Sequence, residues 1–234
     1  MSSITTISEG LRPYLAPPIA AGLAIVPVFH ELTKKSLEQQ GLPISSLSYR
    51  ASLKNGFKAA PTVGIIVATQ MSLASCLERE LSTRWGSKSP VITVLSSFFV
   101  GAGSAPILAI FNGQTMGWTI RDSLRRFSIR QGAAITLQET AFVAGLSLAD
   151  KLTIVMKKRF GDSRGIDYTA AFVAGYLGSL AGHPANTALT RWQSGLTINM
   201  KQSLWGSLRK ARAIGAFAIL YKFGKEALLA KECI

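Results

Sequence analysis

The sequence predicts an all-α membrane protein in which six transmembrane helices form three two-helix repeats. Three observations predict it. Long apolar runs alternate with short basic blocks. A proline recurs inside apolar segments at Pro27, Pro106 and Pro184, 79 and 78 residues apart. A Ser-Leu-basic peptide follows each proline-bearing segment, at Ser52-Leu53-Lys54, Ser123-Leu124-Arg125 and Ser207-Leu208-Arg209. Near-equal spacing of one kind of element marks an internal repeat.

Composition excludes the main soluble alternatives. Hydrophobic residues make up 48% of the chain and charged residues 16%, with a net charge of +14 and a mean hydropathy of +0.28. A soluble nucleic-acid binder spreads its lysines over a polar surface; here the charges sit in blocks between uncharged runs. Two cysteines, Cys76 and Cys233, supply neither a disulfide framework nor metal-ligand spacing, and Cys76 is expected to be a small buried residue. No Gly-rich phosphate loop, paired-carboxylate arrangement or His/Cys/acid cluster occurs, so no enzyme activity, metal or cofactor is expected. The first ten residues carry no basic n-region and are not an Arg-rich presequence, so no cleaved leader is expected.

The six segments lie near Tyr14–Leu32, Phe57–Leu77, Val91–Asn112, Ala133–Val155, Tyr168–Leu189 and Ile214–Leu229. Most approach the roughly 20 residues that cross a bilayer as a helix. The second contains Gln70, the fourth Gln138, Glu139, Asp150 and Lys151, and the short sixth is interrupted by Lys222 and Lys225. The fifth carries Gly175, Gly178 and Gly182, small residues at a spacing that lets membrane helices approach closely.

Charge orients the bundle. The connections after the first (counting Lys58 at the start of the second segment), third and fifth segments carry net charges of +4, +3 and +5, whereas those after the second and fourth carry +1 and +2. Positive loops stay on the side of insertion, which in a mitochondrion is the matrix. Apolar residues at helical spacing flank each Ser-Leu peptide: Tyr49, Leu53 and Phe57; Ile120, Leu124 and Phe127; Leu204, Leu208 and Ala211. These stretches are either interfacial helices resting on anionic lipid or the first turns of the even-numbered helices.

The end of the fifth segment resembles a family signature. Pro184 is followed by Asn186 at +2, Leu189 at +5, Arg191 at +7 and Gln193 at +9, and preceded by the small-residue run ending at Gly182. This is similar to the odd-helix ending of the mitochondrial carriers, in which a proline is followed by an acid at +2, bases at +5 and +7, and often a glutamine at +9. The family's even helices carry an aromatic, an acid and, three residues later, a base. Tyr221-Lys222 with Lys225, Ala149-Asp150 and Leu77-Glu78 match parts of that pattern at intervals of 72 residues. The resemblance implies a pseudo-threefold bundle of repeats 1–88, 89–166 and 167–234 in the mitochondrial inner membrane. It also implies alternating-access exchange of a small anion, a nucleotide being the leading expectation, with the odd-to-even loops in the matrix. The chain departs from the family at the +2 and +5 positions, which hold Phe29, Leu32, Leu108, Phe111 and Leu189, so the family's acid–base gate pairs cannot form. An apolar gate that excludes water is expected instead, with Pro27, Pro106 and Pro184 as kinks.

Carrier substrates sit about three turns before the even-helix pairs. Counting back reaches Arg209 or Lys210, Leu137 and Gln138, and either Ile65 and Ile66 or, anchored on Pro61, Lys58. The resemblance thus points to Lys58, Leu137, Gln138 and Lys210 as substrate contacts, the lysines serving as point charges for an anion. Alternatively, both lysines snorkel from the basic loops. Glu139, a carboxylate within a membrane segment, is expected to face the cavity and pair with Lys58 or Lys210, since such residues are functional by default. His30 and Glu31 are expected at the interface, and His183 in a structural hydrogen bond. Loss of the gate pairs raises a second expectation: a non-transporting, carrier-derived scaffold whose basic face binds a protein partner, lipid or nucleic acid.

Overall fold

The computed structural model describes residues 2–45, 47–85, 90–147 and 149–230, and every regular element among them is helical. The helices are α1 (Ser2–Gln40), α2 (Tyr49–Trp85), α3 (Pro90–Thr115), α4 (Ile120–Arg125), α5 (Ile129–Ser147), α6 (Ala149–Phe160), α7 (Arg164–Ala181), α8 (His183–Gln193) and α9 (Ser207–Leu229), with a 3-10 turn at Met200–Leu204 before α9. Lys88 and Cys233 lie outside the described residues, as do the side chains of Glu78 and Asp150.

Packing closes the helices into a ring. α1 packs on α2, α2 on α3, α3 on α5, α5 on α7, α7 on α9, and α9 returns to α1. α8 continues from α7 and packs against α5 and α1. Glycines set the closest approaches. A methyl group on Gly145 would lie 2.4 Å from the Gly178 Cα, and one on Gly178 would lie 3.0 Å from the Phe142 carbonyl, so α5 and α7 touch backbone to backbone.

Beside a buried apolar core, the side chains depart from the pattern of a soluble protein. Leu23 (60% exposed), Phe57, Phe98, Phe99, Leu137, Leu177 and Phe223 point outward, whereas Lys35, Gln39, Asn112, Glu139, Asn186 and Lys210 are buried. Apolar outside with polar inside is the arrangement a hydrocarbon solvent selects. Among the described residues three helical stretches, Leu11–Gln40, Tyr49–Leu81 and Val94–Thr115, are long and apolar enough to cross a membrane. The fourth expected segment falls on α5 and α6, either side of Leu148, which lies outside the described residues; the fifth is divided between α7 and α8, and the sixth lies within α9, whose lysines and arginines lower its hydropathy.

The three prolines behave differently. α1 and α3 continue through Pro27 and Pro106. The fifth segment breaks: Gly182 caps α7, and Pro184 occupies the first turn of α8, where its missing N–H removes no helical bond. Two of the basic stretches, beginning at Tyr49 and Ser207, are the first turns of α2 and α9. The third folds separately as α4, where the Thr119 hydroxyl accepts from the Asp122 amide and donates to the Asp122 carboxylate at 2.6 Å. That hydroxyl, chiefly, holds the Asp122 carboxyl below the usual range. Cys76, expected to be buried, is exposed on α2, because a small thiol costs little on a lipid-facing surface.

Candidate functional site

Inside the ring lies a cavity of about 140 Å³, to which every ring helix and α8 contribute. Where roughly 10–15 Å³ suffices for one water, this space has room for a small molecule. Spacing along the chain reappears around it. Leu32, Phe111 and Leu189, 79 and 78 residues apart, all line it; so do Ile66, Gln138 and Lys210, and likewise Gln70, Phe142 and Ile214, both sets at intervals of 72.

A chain of hydrogen bonds crosses the cavity wall. The Lys35 ammonium donates to the Asn186 carbonyl oxygen (2.9 Å), and the Asn186 amide donates to Gln138 (2.8 Å). Gln138 donates to one Glu139 oxygen (3.0 Å), while Gln70 donates to the other (3.1 Å) and sits 3.5 Å from the Ser104 hydroxyl. Five helices are thereby joined: α1, α8, α5, α2 and α3. Lys210, 6% exposed, hydrogen-bonds to no described residue. The buried Ser179 hydroxyl has no partner among the described residues and also lines the cavity.

Where the ends of α1, α3 and α8 meet, closure has two layers. The first is apolar. Phe29 and Phe111 stack edge to face with centroids 6.3 Å apart, Leu32 packs with Phe29, and Leu108 packs against Leu189. Beyond it lies an uncharged polar layer linking the three helices pairwise. The Ser36 and Thr115 hydroxyls are 2.7 Å apart, Asn112 donates to Gln193 (2.6 Å), and Gln39 donates to Thr187 (2.8 Å). Arg191 reinforces the α8–α1 side by donating to the Gln39 carbonyl (2.8 Å) and to that of Thr197 (2.6 Å). Gln193 returns a bond to the Ala109 carbonyl (3.1 Å).

The residues expected from the sequence separate accordingly. Gln138, Lys210 and Asn186 line the cavity; Arg191 and Gln193 brace its closed end. Leu137, 65% exposed, faces outward, and Lys58 is exposed on α2, away from the cavity lining. Ile66, the alternative to Lys58 on the same helix, lines the cavity. Glu139 therefore shares the cavity with Lys210 and not with Lys58. His30 accompanies the Ser52 hydroxyl (3.0 Å), Glu31 pairs with Lys34 and Arg209, and His183 bonds the Trp205 carbonyl (2.9 Å).

Sequence reasoning missed Lys35, Gln70 and Ser179 in the cavity, and Ser36, Gln39, Asn112, Thr115 and Thr187 at its closed end. One signal was present: the positions nine residues after the three prolines are Ser36, Thr115 and Gln193, all of them polar.

These features define the class: an all-helical protein with helices long and apolar enough to span a membrane, enclosing a cavity lined by both signs of charge. No family model matches the sequence, and no curated protein matches it as a relative.

Proposed function

We propose that the chain is a carrier-like transporter of the mitochondrial inner membrane, exchanging a small anionic metabolite by alternating access. The observation that carries this reading is the cavity itself, enclosed by a closed ring of helices. Residues spaced at those intervals converge on it, and Lys210, without a hydrogen-bond or ion-pair partner among the described residues, faces it. A pseudo-threefold bundle accounts for that convergence; an unrelated six-helix fold would have no reason to place Ile66, Gln138 and Lys210 together. At about 140 Å³ the cavity falls below the roughly 300 Å³ at which drug-sized pockets begin. A compact anion therefore suits the closed form better than the nucleotide suggested by the resemblance. The basic connections would rest on anionic lipid on the matrix side, as their charge and exposed Leu124 and Leu208 support.

The test is counter-exchange in proteoliposomes loaded with carboxylates, amino acids and nucleotides. Saturable exchange lost in Lys210→Ala is expected. Folded, inserted protein that moves none of the panel would overturn the transporter.

A second reading, the non-transporting scaffold, is favoured by one observation: among the described residues no ion pair joins α1, α3 and α8 at the closed end, which is braced by Ser36–Thr115, Asn112–Gln193 and Gln39–Thr187 and by the Arg191 bond to the Gln39 carbonyl. On this reading the closed form is permanent, and the basic face recruits a protein partner. Cysteines placed at Leu32 and Leu108 distinguish the two: their labelling from the matrix side should respond to substrate in a transporter and stay absent in a scaffold.

A further inference from the structure

Resting on the transporter reading, we propose that the cavity takes a compact zwitterion with two carboxylates and one ammonium group, an acidic amino acid by chemical class. Three ionisable groups line the space: Lys35, Lys210 and Glu139. None of them forms an ion pair within 4.0 Å with a described residue, so the three groups act on one another only across the space they share. Inside a bundle, charge left uncompensated is costly. Two cations and one anion are complemented together by two carboxylates and one ammonium.

The donor and acceptor inventory agrees. Each Glu139 oxygen accepts a single amide hydrogen, from Gln138 or Gln70, leaving acceptor capacity on both. An ammonium group uses that capacity. Among the described residues Lys210 gives up none of its three N–H donors, Lys35 gives up one, to Asn186, and the Ser179 hydroxyl has no partner. Carboxylates use those. A dicarboxylate without an ammonium would set its charge against Glu139, and a nucleotide would exceed the space as well as leave Glu139 without a cation.

The experiment measures binding of L-aspartate and L-glutamate to the full chain in nanodiscs. Each is compared with its deaminated counterpart, succinate or glutarate, and with ATP. Exchange of the same probes is followed in proteoliposomes. Expected is a preference for an amino acid over its counterpart of at least about tenfold, the scale of a hydrogen bond to a charged group. Glu139→Gln should erase that preference, and Lys210→Gln should weaken both members of a pair. Equal binding within both pairs overturns the inference, as does a preference that survives Glu139→Gln, or binding of succinate, glutarate or ATP with no amino acid bound. In each case the transporter stands. Exchange of none of the probes overturns transporter and inference together. Should Glu139→Gln fail to fold, the wild-type comparison within each pair still decides.

Discussion

The middle of the bundle and its closed end solve the same problem with opposite materials. Around the cavity, Lys35, Lys210 and Glu139 put charge into the interior. At the closed end, the bonds directly joining α1, α3 and α8 run mainly through the apolar contacts of Phe29, Leu32, Leu108, Phe111 and Leu189 and the uncharged pairs beyond them. Arg191 donates there to two backbone carbonyls and to no carboxylate among the described residues. The difference teaches where specificity and closure reside. Charge is kept where a ligand would meet it, and closure is left to packing and to hydrogen bonds whose strength does not depend on ionic strength.

The largest effect should come from the apolar layer. Leu189 is 2% exposed and meets both Leu108 and the cavity. Leu189→Ala should lower stability by about 2–5 kcal/mol through lost contacts and the void left behind, read as thermal unfolding in nanodiscs. A smaller but more selective effect belongs to the cavity. Lys210→Ala should reduce exchange roughly 10- to 100-fold by removing hydrogen bonds from a charged group, while the unfolding midpoint moves less than in Leu189→Ala. If the two variants exchanged these outcomes, the division between closure and recognition would be broken.

Asn112→Ala tests the uncharged layer. It strips Gln193 of its 2.6 Å donor and leaves a buried acceptor unsatisfied, at an expected cost of about 1–3 kcal/mol. Because the pair is neutral, the loss should be the same at low salt and at 1 M salt, where exposed ion pairs are screened within about 3 Å. A loss that shrank in high salt would mean that charge holds the closed end after all.

Much of this arrangement was legible in the sequence, for identifiable reasons. The recurring prolines and the 72-residue interval placed Gln138, Lys210 and, as an alternative, Ile66 at equivalent positions, and all three line the cavity. The apolar +2 and +5 residues were expected to close it, and they do lie at the junction of α1, α3 and α8. What hid the rest was helix length. Lys35 was assigned to a basic loop because the apolar run ends at Leu32, but α1 continues to Gln40, and two further turns bring Lys35, Ser36 and Gln39 inward. Ser36, Asn112 and Thr115 read in sequence as minor interruptions of hydrophobicity. Only the approach of three helix ends gives such residues partners. The separate α4 was equally hidden, since its Thr119-to-Asp122 cap is local while the preceding loops at equivalent places run straight into long helices.

The smallest expected effect discriminates between Lys58 and Ile66 as the ligand-facing position of α2. Lys58 is exposed, makes no contact with the cavity, and sits two turns before Ile66 on α2. In a lipid setting an exposed lysine there extends its aliphatic stem along the helix and places its ammonium at the head groups. Lys58→Ala should therefore leave substrate affinity unchanged. Its consequence is confined to the basic face, with a modest loss of binding to vesicles containing anionic lipid, of about 1 kcal/mol per lysine near the surface. Ile66→Lys would instead introduce a third cation into a cavity that already holds two, and should weaken binding of any ligand carrying an ammonium group while sparing a simple anion. Unchanged exchange in Lys58→Ala together with altered selectivity in Ile66→Lys assigns the first-repeat position to Ile66. Exchange abolished by Lys58→Ala would require α2 to turn by a large angle during transport, and would place the loaded state in a conformation unlike this one.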